Sequence, residues 1–526
     1  MVRSVNTLLA AAATVSASVL ELPVVIGNSY SSVKFNIGTP PKEHRLLFDT
    51  GSSTIFILNT DCTETSCLDG SAPYYIRQEY NASASSSSVN LDIDASIPYL
   101  GGNVAGETFS DVFSTLDGTV DWNQTFLSAN QSSWRFITAD GFLGLGFSTI
   151  AEANTSTLVE TLLWDGQLDE PRFGLFYGTN LTDEGVQDGV LTIGGSHEDK
   201  YVDGEVVYTP LMKEEEYQLW RAPLRSINVL VAQNPSDPNA TVETHIGRLP
   251  TTVVPNGTYP DANVTWPVFG SAVFDTGAGR LAVPDEIISA MLYNLGWDYD
   301  KLLAGEERME CKHMNASWAV SLTLGEGAPE DDVSFTIRGD EFYGPGEQCQ
   351  PPFDSSGANS FALVGSTFLQ RYYSVYDFGA DKVAEYAPRI GFGRLKKELF
   401  AIPALVYPIN SNIPATNFVT KFAHPLSKPL GRTVVTGRVA VDASAFWANM
   451  TRSLSSRTAA SEDILTLRFP TSNMNAAGRW GMMSPAMYFI VGMFLWNDFV
   501  AASTPVSDCI LPATSSAALD ASGEAQ

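Results

Sequence analysis

The stretch "RLLFDTGSSTIFIL", residues 45–58, sets an ionisable Asp49 behind the apolar run Leu46-Leu47-Phe48 and directly before Thr50 and Gly51. The apolar residues on either side read as buried strands, and a carboxylate at the end of such a strand costs free energy unless its oxygens find donors. The residues that follow supply them. Glycine lets the backbone turn closely and expose an N–H, and the Thr50 and Ser52 hydroxyls can donate or brace the loop. Downstream, "SAVFDTGAGRLAVP", residues 271–284, repeats the arrangement at Asp275 with Thr276 and Gly277. One such Asp caps a turn; two in matching settings need a joint explanation.

The surroundings repeat as well. About ninety residues after each Asp-Thr-Gly come two apolar residues and a glycine, in "GFLGLGF" around Gly144 and in "FALVGSTFL" around Gly365. One unit is used twice, and two such lobes facing each other would bring Asp49 and Asp275 together across a cleft. Between residues 29 and 394 the chain reads as many short strands. "SSVKFNIG" alternates with Val33, Phe35 and Ile37 on one face, and "GVLTIGG", "GEVVYTPL", "YYSVYDF" and "RIGFG" are further β-rich runs. Helical patterns are few, the best being "STLVETLLWDG" and "PDEIISAMLYNLGW". The fold class is therefore all-β. Residues 232–268, rich in Pro, Asn and Thr, read as a surface insertion before the second Asp loop.

Two carboxylates held a few ångströms apart cannot easily both ionise, so they share a proton and titrate as a pair. The ionised member can take a proton from a water, which attacks a carbonyl. The protonated member polarises that carbonyl and later helps to protonate the leaving nitrogen. No covalent intermediate is required.

Composition sets the context. The chain has 526 residues and a formal net charge of −28, which argues against nucleic acid as a partner because phosphate binding needs cations. Such acidity suits a soluble surface or an acidic medium, where protonation relieves self-repulsion. The N-terminal "MVRSVNTLLAAAATVSASVLELP" has a basic n-region, a short apolar segment and small residues at Val15-Ser16-Ala17, so residues 1–17 read as a secretory signal. Asn-x-Ser/Thr acceptors stand at Asn81, Asn123, Asn130, Asn154, Asn180, Asn239, Asn256, Asn263, Asn315 and Asn449, a density that fits a glycosylated secretory protein. Cys62 and Cys67 lie close in sequence, Cys311 and Cys349 lie further apart, and Cys509 is left over. An oxidising compartment would allow two local disulfides. Neither the cysteines nor the five scattered histidines have zinc-ligand spacing, so no metal and no cofactor is expected.

The ordered set "YSSVKFNIGTPPKEHRLLFDTGSS", "IPYLGGNVAGETFSDV", "DGFLGLGF", "VFDTGAG" and "STFLQRYYSVYDF", with the closing "IGFG", resembles the pepsin-like aspartic peptidases. The resemblance spans residues 29–394. It implies a pepsin-like bilobal acid-protease fold, with a cleft between two pseudo-symmetric β lobes at residues 18–190 and 191–394. It implies Asp49 and Asp275 as the catalytic pair, and Thr50 and Thr276 as the residues that lock the two loops. Tyr99 matches the flap tyrosine, in a Gly-rich hairpin that includes Gly102 and suits a movable lid. Substrate would lie along Gly51, Gly277 and the flap backbone, among Phe56, Tyr99 and Phe142. Cys62–Cys67 and Cys311–Cys349 match the family's usual disulfide positions.

The sequence departs from that family in four places. Ala278 replaces the usual Ser or Thr after the second Asp-Thr-Gly, so Asp275 lacks the hydroxyl that Ser52 offers Asp49. Phe56 replaces a Trp whose N–H usually bonds the flap tyrosine, which implies a looser flap. A mature start near residue 18 leaves no room for the family's basic prosegment. Residues 395–526 are foreign to the core and receive no fold. Within them the uncharged "WGMMSPAMYFIVGMFLW", residues 480–496, is slightly short for a membrane span yet a candidate anchor.

The expected function is a secreted or cell-surface endopeptidase active in acid. The alternative is a catalytically silent relative that binds a protein or glycan in its cleft. One chain supplies both Asp loops, so a monomer suffices.

Overall fold

A computed structural model describes residues 18–400, except 28–29, 63–66, 68–74, 135–136, 182–186, 233–241, 249–269, 304–305, 308–313, 316, 327–330, 343–351 and 359. The expected signal segment, the C-terminal extension with its candidate anchor, Cys311, Cys349, Cys509, Asn239, Asn256, Asn263 and Asn449 lie outside the described residues. Among the described residues no helix is long and apolar enough to cross a membrane.

The fold is the expected all-β one. The N-terminal lobe is an eight-stranded sheet. Its strands run in the order Val25–Gly27, Tyr30–Ile37, Lys42–Asp49, Gly141–Gly144, Phe56–Leu58, Asp121–Ser132, Asn103–Ser114 and Val89–Pro98. The C-terminal lobe orders Val333–Arg338, Trp318–Leu324, Arg221–Ala232, Gly270–Phe274, Phe361–Val364, Leu281–Val283 and Phe353–Ser355. An eighth strand of that lobe, Val242–Arg248, pairs with Arg221–Ala232. It falls within the stretch expected to be a surface insertion, which therefore contains a return strand of the sheet. Few apolar residues alternate in "VETHIGR", so its pairing rests on the long partner rather than on its own pattern.

A six-stranded sheet joins the lobes. Leu20–Pro23, Val190–Ile193 and Arg172–Phe176 come from one side, and Tyr372–Asp377, Arg389–Arg394 and Val207–Pro210 from the other. The seam is the antiparallel pairing of Arg172–Phe176 with Tyr372–Asp377. Trp220, fully buried, packs beside it against Phe147, Phe173, Tyr376 and Phe378, and its indole N–H donates to the Leu145 carbonyl at 2.8 Å. Both expected helices form, as Leu158–Trp164 and Asp285–Leu295. The first is capped by Thr157, whose side chain accepts the Glu160 N–H at 3.3 Å.

The sequence repeat becomes a structural one. Lys42–Asp49 pairs in parallel with Gly141–Gly144, placing Asp49 opposite Gly144. Gly270–Phe274 pairs in parallel with Phe361–Val364, and the Asp275 N–H continues the ladder onto the Val364 carbonyl at 3.0 Å. In each lobe a third strand, Phe56–Leu58 or Leu281–Val283, then pairs antiparallel with the apolar-Gly strand. Because side chains alternate across a sheet, each triple of strands has two apolar faces. Leu46, Phe48, Ile57 and Leu143, like Ala272, Phe274, Leu281, Val283, Ala362 and Val364, turn into the main core. Leu47, Phe56 and Phe142 form part of a separate cluster in one lobe, as do Val273, Ala282 and Leu363 in the other.

Candidate active site

Each Asp sits where a parallel-paired strand ends, so the strand geometry fixes where its carboxylate points. Asp49 is buried and Asp275 half-buried. The loops meet so closely that glycine is required at the crossing. A Cβ added to Gly51 would lie 2.4 Å from the Asp275 carboxyl carbon, and one on Gly277 would lie 2.6 Å from Asp49 Oδ1.

Thr50 and Thr276 lock this approach with four hydrogen bonds. The Thr50 hydroxyl donates to the Phe274 carbonyl at 2.7 Å and accepts the Thr276 N–H at 3.0 Å. The Thr276 hydroxyl donates to the Phe48 carbonyl at 3.0 Å and accepts the Thr50 N–H at 3.0 Å. Each threonine thus bonds the strand end of the opposite lobe, and both are buried.

The carboxylates differ in their donors. Asp49 Oδ1 accepts the Gly51 N–H at 2.9 Å, and its Oδ2 accepts the Ser52 hydroxyl at 2.6 Å. Asp275 Oδ1 accepts the N–H groups of Gly277 at 2.8 Å and Ala278 at 3.1 Å, with no hydroxyl counterpart to Ser52. Burial, first, and then the negative charge of Asp49 and a hydrogen bond with it hold Asp275 well above the usual carboxylate range, against the two amide donors. The arrangement therefore favours the protonated form of Asp275.

Over this pair stands the hairpin of Val89–Pro98 and Asn103–Ser114, closed by a turn in which the Tyr99 N–H donates to the Gly102 carbonyl at 2.7 Å. Tyr99 packs on Phe56, Phe142 and Trp134, with ring centroids 5.9, 5.5 and 5.9 Å apart. Its hydroxyl is buried with no hydrogen-bond partner among the described residues, and burial with the nearby Asp49 charge raises its pKa. Phe56 is fully buried and supplies ring contact only. Trp134, which the sequence did not single out, fills the space beneath the hairpin turn: a Cβ on Gly101 would lie 2.6 Å from its ring.

A family model described as eukaryotic aspartyl protease matches residues 30–244 and 263–387. The chain belongs to the eukaryotic aspartyl protease family. Among curated relatives, gastricsin of Cavia porcellus is 24% identical over 376 residues, covering 70% of this chain and 82% of the relative. The probable vacuolar protease A of Trichophyton verrucosum is 26% identical over 378 residues, with 68% and 80% covered. Pepsin B of Canis lupus familiaris is 24% identical over 360 residues, again with 68% and 80% covered.

In this aspartyl protease the structure gathers Asp49, Asp275, Thr50, Thr276, Ser52, Gly51 and Gly277 at one point, with Tyr99, Gly102, Phe56 and Phe142 at the hairpin beside it. Cys62 and Cys67 are joined, with Cα atoms 5.8 Å apart. Asn81, Asn123, Asn130 and Asn154 are exposed, while Asn180 and Asn315 are half-buried. Sequence reasoning also passed over a buried polar knot behind the first Asp loop. Asp140 accepts the Arg45 N–H at 2.7 Å, the Gln78 N–H at 2.6 Å and the Tyr75 hydroxyl at 2.8 Å. His44 Nδ1 lies 3.8 Å from Asp140 Oδ2 and 3.0 Å from the Gln78 carbonyl. The only hint of it was an Asp directly before the apolar-Gly strand.

Proposed function

We propose that this chain is an aspartic endopeptidase that hydrolyses peptide bonds with Asp49 and Asp275, works in acid, and travels the secretory pathway. The observation that carries the reading is the meeting of the two Asp loops, each carboxyl group lying against the glycine that follows the other Asp, with Thr50 and Thr276 bonded across. Asp49, its charge held by Ser52 and Gly51, takes a proton from a water that attacks the scissile carbonyl. Asp275 donates its proton toward the carbonyl oxygen. As the tetrahedral intermediate collapses, the leaving nitrogen takes the proton gained by Asp49, the C–N bond breaks, and one hydroxyl of the intermediate returns its proton to Asp275 as the product carboxyl group forms. The elevated pKa of Asp275 favours a pH range in which one proton stays on the pair.

The relatives' names, gastricsin, pepsin B and vacuolar protease A, support protein or peptide substrates and an acidic setting. The signal-like N-terminus and exposed Asn-x-Ser/Thr sites support the secretory route. Cleavage of an unstructured protein across pH 3 to 7, with and without a statin-type transition-state inhibitor, tests the reading. Inhibitor-sensitive cleavage strongest in acid is expected. Folded enzyme that never cleaves would instead favour a cleft used only for binding.

A further inference from the structure

Two small apolar surfaces of the main sheets are turned away from the core, and the repeat relates them residue by residue. Leu47 lies two residues before Asp49 and Phe56 seven after it; Val273 and Ala282 stand at the same offsets from Asp275. Phe142 and Leu363 each lie two residues before the glycine of the apolar-Gly strand. One triad is therefore Leu47, Phe56 and Phe142, the other Val273, Ala282 and Leu363, and all six side chains are buried. Apolar surface turned outward from a sheet is buried only if something covers it.

Consecutive residues of the same hairpin turn do so. Tyr99 packs on the first triad through Phe56 and Phe142. Leu100, next in the chain, packs against the second triad, in the opposite lobe, together with Leu219, Ala278 and Phe361. The second triad is the smaller, with Ala282 where the first has Phe56, which leaves room for a leucine. Leu100 itself is half-buried. Behind the turn, Trp134 meets Gly101 and Gly102, so the tip is held from below while it reaches forward.

We infer that Leu100 is a positioning residue that fastens the hairpin tip to the C-terminal lobe, so that the hairpin is anchored on both lobes and closed over Asp49 and Asp275 before substrate arrives. The inference rests on the peptidase reading for its consequence, since a peptide must separate Leu100 from its dock to enter. It makes a specific demand: weakening the Leu100 contact must loosen the hairpin and speed entry, without any change to the carboxyl pair.

The test compares wild type, Leu100→Ala and Leu100→Met by hydrogen exchange over residues 95–106 and by the association rate of a statin-type inhibitor. Losing a half-buried leucine should raise exchange at the tip and speed association about fivefold. Leu100→Met, which refills the dock, should stay near wild type. Unchanged exchange in Leu100→Ala, or unchanged association, overturns the inference. Failure of the wild type itself to bind the inhibitor overturns the peptidase reading instead, and exchange alone then decides the fastening.

Discussion

Thr50 and Thr276 each accept the other's backbone N–H at 3.0 Å, so the two halves of the chain are stitched at the residues that follow the two carboxylates. Each hydroxyl also donates to the carbonyl of the residue before the opposite Asp. Loop placement and carboxyl spacing are therefore one property.

Thr50→Val keeps the shape but strands the Phe274 carbonyl and the Thr276 N–H in a buried setting. Leaving two buried groups unpaired should cost roughly 2–4 kcal/mol of unfolding free energy. Turnover should fall more than substrate binding, because the carboxyl pair loses its spacing. Urea denaturation and separate kcat and KM values check this, and Thr50→Ser should recover most of both.

Ala278→Ser restores at the second loop the hydroxyl that Ser52 gives the first. A donor to the ionised form of Asp275 stabilises that form and lowers its pKa, which the native environment holds high. The pair would then lose its shared proton at lower pH, and the alkaline limb of the kcat profile should move in the acid direction. An alkaline limb displaced upward in Ala278→Ser would contradict this reading.

His44 gives acid a cost. Burial and, less, the nearby Lys42 charge lower its pKa from the usual 6.5 to about 4. The neutral ring is thus favoured in the fold. Its stabilising contribution is complete above pH 6.5 and is lost as pH falls toward 4, a loss of about 3 kcal/mol. His44→Gln should remove most of that acid-side loss. Denaturation midpoints at pH 6.5 and pH 4 for both proteins provide the comparison.

Tyr99→Phe removes a hydroxyl that is buried without a partner among the described residues. Losing an unpaired polar group is close to neutral or favourable, so unfolding free energy should hold within about 0.5 kcal/mol or rise. Trp134→Ala, by contrast, empties the space under Gly101 and Gly102 and should raise KM more than it lowers kcat. A large loss of stability in Tyr99→Phe would show that the hydroxyl is paired.

Much of this molecule is legible in the sequence because its chemistry is local. Asp-Thr-Gly carries donor and turn within three residues, so Asp49 and Asp275 announce themselves, and their repetition with Gly144 and Gly365 implies facing lobes. The helical pattern of "STLVETLLWDG" similarly marks the helix Leu158–Trp164. What lies outside local reach is what long-range pairing decides. Nothing in "LELP" shows that Leu20–Pro23 pairs with Val190–Ile193, and nothing in "VETHIGR" shows its return onto Arg221–Ala232. Trp134 and Trp220 carry no motif, and their places depend on partners distant in sequence, Tyr99 and Gly101 for one and Tyr376 and Phe378 for the other. Phe56 illustrates the boundary. The sequence shows that it lacks an N–H, but only the fold shows Trp134 standing against the same tyrosine.

The most direct test of the central claim is turnover of an unstructured protein at acidic pH by Asp49→Asn and by Asp275→Asn, each shown to be folded by its denaturation curve. Loss of acid–base catalysis should lower kcat by at least about 10²–10⁴ in both variants. A folded variant of either kind that cleaves at the wild-type rate would contradict the paired-carboxyl mechanism.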